Sequence, residues 1–209
     1  LYYLSVFAVS FTIALSGALM PGPLLTAVIA ESSRHGFRSG PLICIGHAIL
    51  EAGMIGLILL GLARFIHNQL VMFSIAVTGA LILLYFGISM LTSAPHLCLD
   101  SVPAKKRSSH LVMLGITVSA ANPYWSIWWL SIGLGLVLTA QKSGLTSVAV
   151  FFCGHILADF AWYSLISYGI SKGRRFISQK TYRGIITACG CALIIFALLF
   201  AFRSVKPLP

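Results

Sequence analysis

Residues 42–63 read LICIGHAILEAGMIGLILLGLA, a stretch whose one formally charged side chain, Glu51, sits near its middle. About 20 consecutive apolar residues cross the ~30 Å hydrocarbon core of a bilayer as a helix, because only a helix satisfies its own backbone polar groups there. The stretch is therefore read as a membrane span carrying a carboxyl group at mid-depth. Five more apolar stretches follow the same pattern, giving spans near 3–29, 42–63, 71–92, 111–138, 147–170 and 184–202. The first is too long for the apolar region of a signal peptide and has no basic stretch before it, so it too is read as a span. The first and fourth contain prolines, which remove a backbone donor, and each is expected to kink or break.

Composition agrees with lipid as the solvent. Hydrophobic residues make up 58% of the 209, charged residues 9%, and the mean hydropathy is +0.97. Soluble domains carry about 25% charged residues, so this chain lacks the polar surface to cover itself in water. The net charge of +10 would suggest nucleic acid in a soluble protein, but here the basic residues gather between spans and nucleic acid is not expected as a partner. Arg34 and Arg38 follow span one, Lys105, Lys106 and Arg107 follow span three, and Lys172, Arg174, Arg175, Lys180 and Arg183 follow span five. Only Arg64, Lys142, Arg203 and Lys206 fall on the other side. Loops one, three and five are thus expected in the cytoplasm and both termini outside. The five cysteines form no C-x-x-C pair and four lie in apolar runs, which argues against disulfides and thiol redox chemistry.

The stretch that opened the reading recurs. Gly46-His47-Ala48-Ile49-Leu50-Glu51 in span two is matched by Gly154-His155-Ile156-Leu157-Ala158-Asp159 in span five. Pro21-Gly22-Pro23 in span one is matched by Asn122-Pro123 in span four, and Gly79 by Gly190. Three spans per half is an odd number, so the second half enters the membrane inverted. The fold class expected is an all-α integral membrane protein of six transmembrane helices in two inverted three-helix repeats, residues 1–92 and 111–209. A basic cytoplasmic linker, residues 93–110, joins them.

The chemistry follows from what is rare in lipid. Glu31 and Asp100 fall in or near cytoplasmic loops, whereas Glu51 and Asp159 lie at mid-span, where a carboxylate must be paired, protonated or hydrated. His47 and His155 precede them by four residues and so share their helical faces. Each pair reads as a cation site or proton relay, or else as a hydrogen bond gluing helices together. The breaks at Pro21, Gly22 and Pro23 and at Asn122 and Pro123 would expose carbonyls and half-helix dipoles to a substrate, or would merely shape packing. Tyr124, Trp125, Trp128 and Trp129 would line a pocket or form a packing stripe, and the stripe is the plainer reading of residue type alone. Cys44, His47 and Glu51 share a face that suits a transported divalent metal; no resident metal or cofactor is expected. There is no nucleotide-binding loop of the G-x-x-x-x-G-K-[ST] kind and no nucleophile at a catalytic spacing, so an enzyme is not expected.

Pro21-Gly22-Pro23, the glycine-spaced Gly36-Phe37-Arg38-Ser39-Gly40, and Asn122-Pro123, in a six-span chain of this length, resemble the LysE/RhtB-type amino-acid exporters. The resemblance covers nearly the whole chain. It implies export of amino acids or related small cationic or zwitterionic solutes across the prokaryotic plasma membrane, driven by the proton gradient or membrane potential. Many members carry Lys after Asn-Pro, where this chain has Tyr124. The expected site is Glu51, Asp159, His47, His155, Pro21, Gly22, Pro23, Asn122, Pro123 and Tyr124, and the expected partners are a small-molecule substrate, a proton or other coupling ion, the bilayer and a second copy of the chain. A divalent metal-ion exporter and a non-transporting membrane scaffold are the alternatives.

Overall fold

A computed structural model describes residues 1–20, 22–61, 69–96, 108–173, 176 and 178–205. The described residues are helical, with no strand among them. Pro21, Arg64, Asp100, the Lys105–Arg107 run, Arg174, Arg175 and Lys206, on which parts of the sequence reading rest, lie outside them.

Helix α1 (Tyr2–Ala18) stops at the proline pair, and α2 (Pro23–His35) restarts beyond it at 74° to α1. Pro23 takes the first helical position, where its missing N–H costs nothing. Gly36, at φ +84°, ends α2 in a conformation that a side chain would strain, and its N–H caps back to the Ser32 carbonyl. Then follow α3 (Ser39–Leu59) and α4 (Gln69–Ser93), the latter closed by a 3₁₀ turn, Ala94–His96. Thus both ends of the expected linker, residues 93–96 and 108–110, are helical.

The expected fourth span is not one helix. Helix α5 (Ser108–Ala120) has 13 residues, which at 1.5 Å per residue is about 20 Å and too short to cross alone. The Pro123 ring cannot follow an intact turn, so α5 ends and α6 (Pro123–Trp128) restarts behind an Asn122 cap. A π-helical turn, Trp129–Gly133, leads into α7 (Leu134–Gln141). The chain ends with α8 (Leu145–Gly173) and α9 (Gln179–Val205). Four helical stretches are long and apolar enough to span a membrane, Ser39–Leu59, Val77–His96, Leu145–Gly173 and Gln179–Leu199, and the bent pair α1 and α2 makes a fifth. The protein is a multi-pass membrane protein of four to five such spans, where the sequence predicted six.

Three helix pairings dominate: α1 on α8, α3 on α5, and α4 on α9. Glycine makes them close. A Cβ at Gly46 would lie 1.9 Å from the Val112 carbonyl oxygen, and one at Gly115 would lie 2.0 Å from that of Ile43, so α3 and α5 notch into each other reciprocally. Gly154 on α8 does the same against the Phe7 carbonyl on α1, where the Ser10 hydroxyl also donates to the Phe151 carbonyl at 2.6 Å. On α4, Gly87 meets Gly190 of α9, while Gly79 packs on the Ala121 carbonyl, so the two glycines matched in sequence do not occupy one contact.

Candidate functional site

Helices α3 and α8 lie side by side, and each turns its histidine and its acid to the same buried face. His47, Glu51, His155 and Asp159 therefore meet. The His47 Nε2 lies 3.1 Å from Glu51 Oε1, and the His155 Nε2 lies 3.3 Å from the same oxygen. Asp159 Oδ2 stands farther off, 3.8 Å from His47 Nε2 and 3.7 Å from His155 Nε2. The two i,i+4 pairs read from sequence are thus one cluster, in which each imidazole faces both acids. A buried carboxylate needs partners, and here Glu51 is in contact with two imidazoles while Asp159 has the same two only at ion-pair range.

The segmented fourth stretch completes the cluster. Restarting the chain at Asn122 rotates the following residues so that Trp125 and Trp129 donate their indole N–H groups to Glu51 Oε1, at 3.3 and 3.1 Å. The sequence reading treated these rings more as a packing stripe; their N–H groups instead bind the acid. Trp128 and Trp129 also pack against the His155 ring, with centroids 5.1 and 5.4 Å away and the ring planes tilted. Two further residues had no sequence signal. Ser119, on α5, bonds His47 Nδ1 through its hydroxyl at 2.8 Å and so fixes that ring. Tyr163 sits edge-on to it, one turn beyond Asp159 on α8. Both are small polar features within apolar helices, and only the packing of α3 between α5 and α8 gives them a role.

A cavity of about 410 Å³ adjoins the cluster. The four clustered residues line it together with Gly22 and Pro23 at the first break and with Asn122 and Tyr124 at the second. Of the other expected residues, Pro123 opens α6 and Pro21 is outside the described residues. Tyr124 is exposed at the margin, where its hydroxyl reaches the Met20 sulfur at 3.0 Å and bridges the two breaks.

The metal-ligand set expected on α3 is altered. The donor atoms of His47, Glu51 and Asp159 lie within 4.8 Å of one another, a spacing that a divalent cation could draw together. Cys44 is buried in the apolar core away from the cavity lining, and Cys153 is exposed, so neither thiol joins the set. Glu31, read as a loop residue, is instead buried within α2, 3.5 Å from His35 one turn on.

Comparison with known proteins agrees with the whole-chain resemblance. The chain is 23% identical over 192 residues, 91% of its own length and 95% of the other's, to the Chemotactic transduction protein ChpE of Pseudomonas aeruginosa. No solved structure matches. The profile of the LysE type translocators matches residues 15–204, from within α1 to the end of α9. With that match running through both helix breaks and both His–acid pairs, the chain belongs to the LysE type translocator family.

Proposed function

We propose that this chain is a secondary transporter that exports amino acids or similar small cationic or zwitterionic solutes across a prokaryotic plasma membrane, coupled to the proton gradient or the membrane potential. The observation that carries the reading is a cluster of two carboxyls and two imidazoles, buried among apolar helices and lining a cavity bordered by both helix breaks. Ionisable groups at mid-span are costly to bury and by default mark an ion or substrate pathway.

The packing supports two inverted repeats, residues 1–92 and 111–209 joined by the 93–110 linker, with α5 to α7 together as the sixth crossing. Exchanging span one with four, two with five and three with six turns the α1–α8 pairing into the α5–α3 pairing and leaves α4–α9 unchanged. The glycine notches at Gly154 and Gly46 exchange in the same way. In this scheme the halves rock about the central cluster. Glu51 and Asp159 bind substrate ammonium or proton, His47 and His155 relay protons, and the substrate's polar ends lie near the breaks.

Uptake of labelled amino acids into inverted vesicles under an imposed pH gradient tests this. Wild type should accumulate substrate, and Asp159→Asn and Glu51→Gln should each reduce uptake to the level of empty vesicles. Uptake that survives in both variants would remove the cluster from the mechanism. A second reading, export of a divalent metal ion, is favoured by the donor atoms of His47, Glu51 and Asp159 within 4.8 Å of one another. Gradient-driven uptake of zinc or manganese without that of any amino acid would select it. Transport of neither would favour a scaffold in a signalling assembly, which the name of the Pseudomonas relative fits.

A further inference from the structure

The two helix breaks are chemically unequal. At the second, Asn122 Oδ1 accepts the N–H of Tyr124 at 3.1 Å, so the chain itself answers the free donor of α6, which is only six residues long. At the first, Gly22 has no side chain with which to cap α2, and the first turn holds no acid. The N–H groups of a first helical turn have no intrahelical partners, and the dipole of a 13-residue helix adds partial positive charge at the same point. Pro23, Leu24 and Leu25, the residues of that turn, line the cavity.

The opposite wall is unequal too. Glu51 Oε1 is saturated by two indoles and two imidazoles, whereas Glu51 Oε2, Asp159 Oδ2 and His155 Nδ1 are buried without a hydrogen-bond partner. Asp159 is the looser acid, since its Oδ2 stands beyond hydrogen-bond distance of both imidazoles. One cavity therefore has an unanswered anion site at α2 and an unanswered cation site at Asp159. Apart from Ser119 and Asn122, whose side chains bond His47 and the Tyr124 N–H, its remaining wall is aromatic and aliphatic, with Trp125, Trp128, Phe196 and Leu199, and no third acid lines it among the described residues.

Resting on the exporter reading, we infer that the substrate is a neutral α-amino acid with an apolar side chain. Its carboxylate caps the N-terminus of α2, its ammonium lies on Asp159, and its side chain packs against the tryptophans. Glu51 is the fixed charge that holds both imidazoles in place. With Asp159 taken by the ammonium, a basic side chain would find only Glu51, whose charge two imidazoles and two indoles already answer at Oε1.

Gly22 supplies the test. Its backbone is extended, at φ −153°, and a Cβ there would meet nothing nearer than the Met20 carbonyl oxygen at 3.9 Å. Gly22→Asp should therefore fold, cap α2 with its own carboxylate and raise the melting temperature, while occupying the proposed carboxylate site. The full chain in proteoliposomes would be assayed for exchange with each of the twenty amino acids as tracer. The decarboxylated amine and the deaminated acid of the tracer that moves serve as competitors. Neutral apolar tracers should move, and both truncated analogues should compete about tenfold or more weakly, as expected for loss of a charge-assisted contact. Gly22→Asp should lose amino-acid binding by a similar factor, read as ligand-induced melting shift, without weakening the amine. An amine that competes as well as its amino acid, or a Gly22→Asp variant that binds both normally, would overturn the inference and leave the exporter reading standing. Preferred exchange of lysine would overturn the neutral assignment. Exchange of no amino acid at all would overturn the exporter reading itself.

Discussion

Glu51 Oε1 takes contacts from four side chains on different segments: His47 on α3, Trp125 on α6, Trp129 in the π turn and His155 on α8. A carboxylate held this way is a fixed point, and its donors differ in strength. Trp129 is fully buried at 3.1 Å, and Trp125 is half-buried at 3.3 Å. Replacing Trp129 by Phe removes a buried charge-assisted bond worth about 1.5–3 kcal/mol, and replacing Trp125 by Phe should cost less. Thermal melting of the purified protein checks the order, and a larger loss in Trp125→Phe would contradict the geometry described here. The acids and histidines were legible in sequence because lipid makes charge conspicuous and i,i+4 spacing fixes a face. That Glu51 and Asp159 have different surroundings was not legible. Their difference comes from the tryptophans, whose N–H direction depends on the restart at Asn122 and on the π turn, and residue spacing encodes neither.

At the scale of the helix, prolines and glycines carried most of the readable information. The Pro-Gly-Pro and Asn-Pro pairs announced two breaks, and both are present. Their consequences differ because one restart is capped and the other is not. Asn122→Ala should lose about 1 kcal/mol of stability through the missing cap, and Asn122→Asp should retain most of it. Melting curves of the two variants side by side decide this. The glycines separate more sharply. Gly46 and Gly115 each admit a partner backbone where a Cβ would stand about 2 Å from a carbonyl oxygen, while Gly53 and Gly56 of α3 have nothing within 4 Å. Gly46→Ala or Gly115→Ala must push α3 and α5 apart, which would also pull Ser119 from His47. Little folded protein should be recovered by size-exclusion chromatography. Gly53→Ala should be neutral or stabilising by up to about 1 kcal/mol, since alanine is the better helix former. Equal yields from Gly46→Ala and Gly53→Ala would show that the close approach is not needed. Which glycines touch backbone is a property of the helix pairs, and residue spacing does not encode it.

For the whole molecule, rocking of the halves as proposed requires the central cluster to face one side of the membrane at a time. Ser167 on α8 is fully buried, and its one hydroxyl makes three bonds. It donates to the Phe37 carbonyl at 2.6 Å and accepts from the Gly40 N–H at 3.2 Å, which leaves it accepting from Ser32 at 2.7 Å. The turn between α2 and α3 is thereby fastened to α8 at the end carrying Arg34 and Arg38, the end expected from the charge bias to be cytoplasmic. Gly40 makes the contact by close approach, since a Cβ there would stand 2.5 Å from the Ser167 Cβ. Three bonds at about 1 kcal/mol each give a fastening of a few kcal/mol. That matches the gap between states that a substrate or proton can reverse. If this end opens during the cycle, Ser32 and Ser167 must part. In a protein whose native cysteines are replaced, Ser32→Cys with Ser167→Cys should form a disulfide under oxidation. Exchange in proteoliposomes should then fall about tenfold or more, as for a gating step that is blocked. A reductant should restore it, and each single variant should remain active in either condition. Full exchange by the oxidised, crosslinked protein would mean that α2, α3 and α8 stay fastened throughout the cycle. Alternation would then have to come from the three dominant pairings, α1 with α8, α3 with α5 and α4 with α9, each of which is closed by a glycine contact.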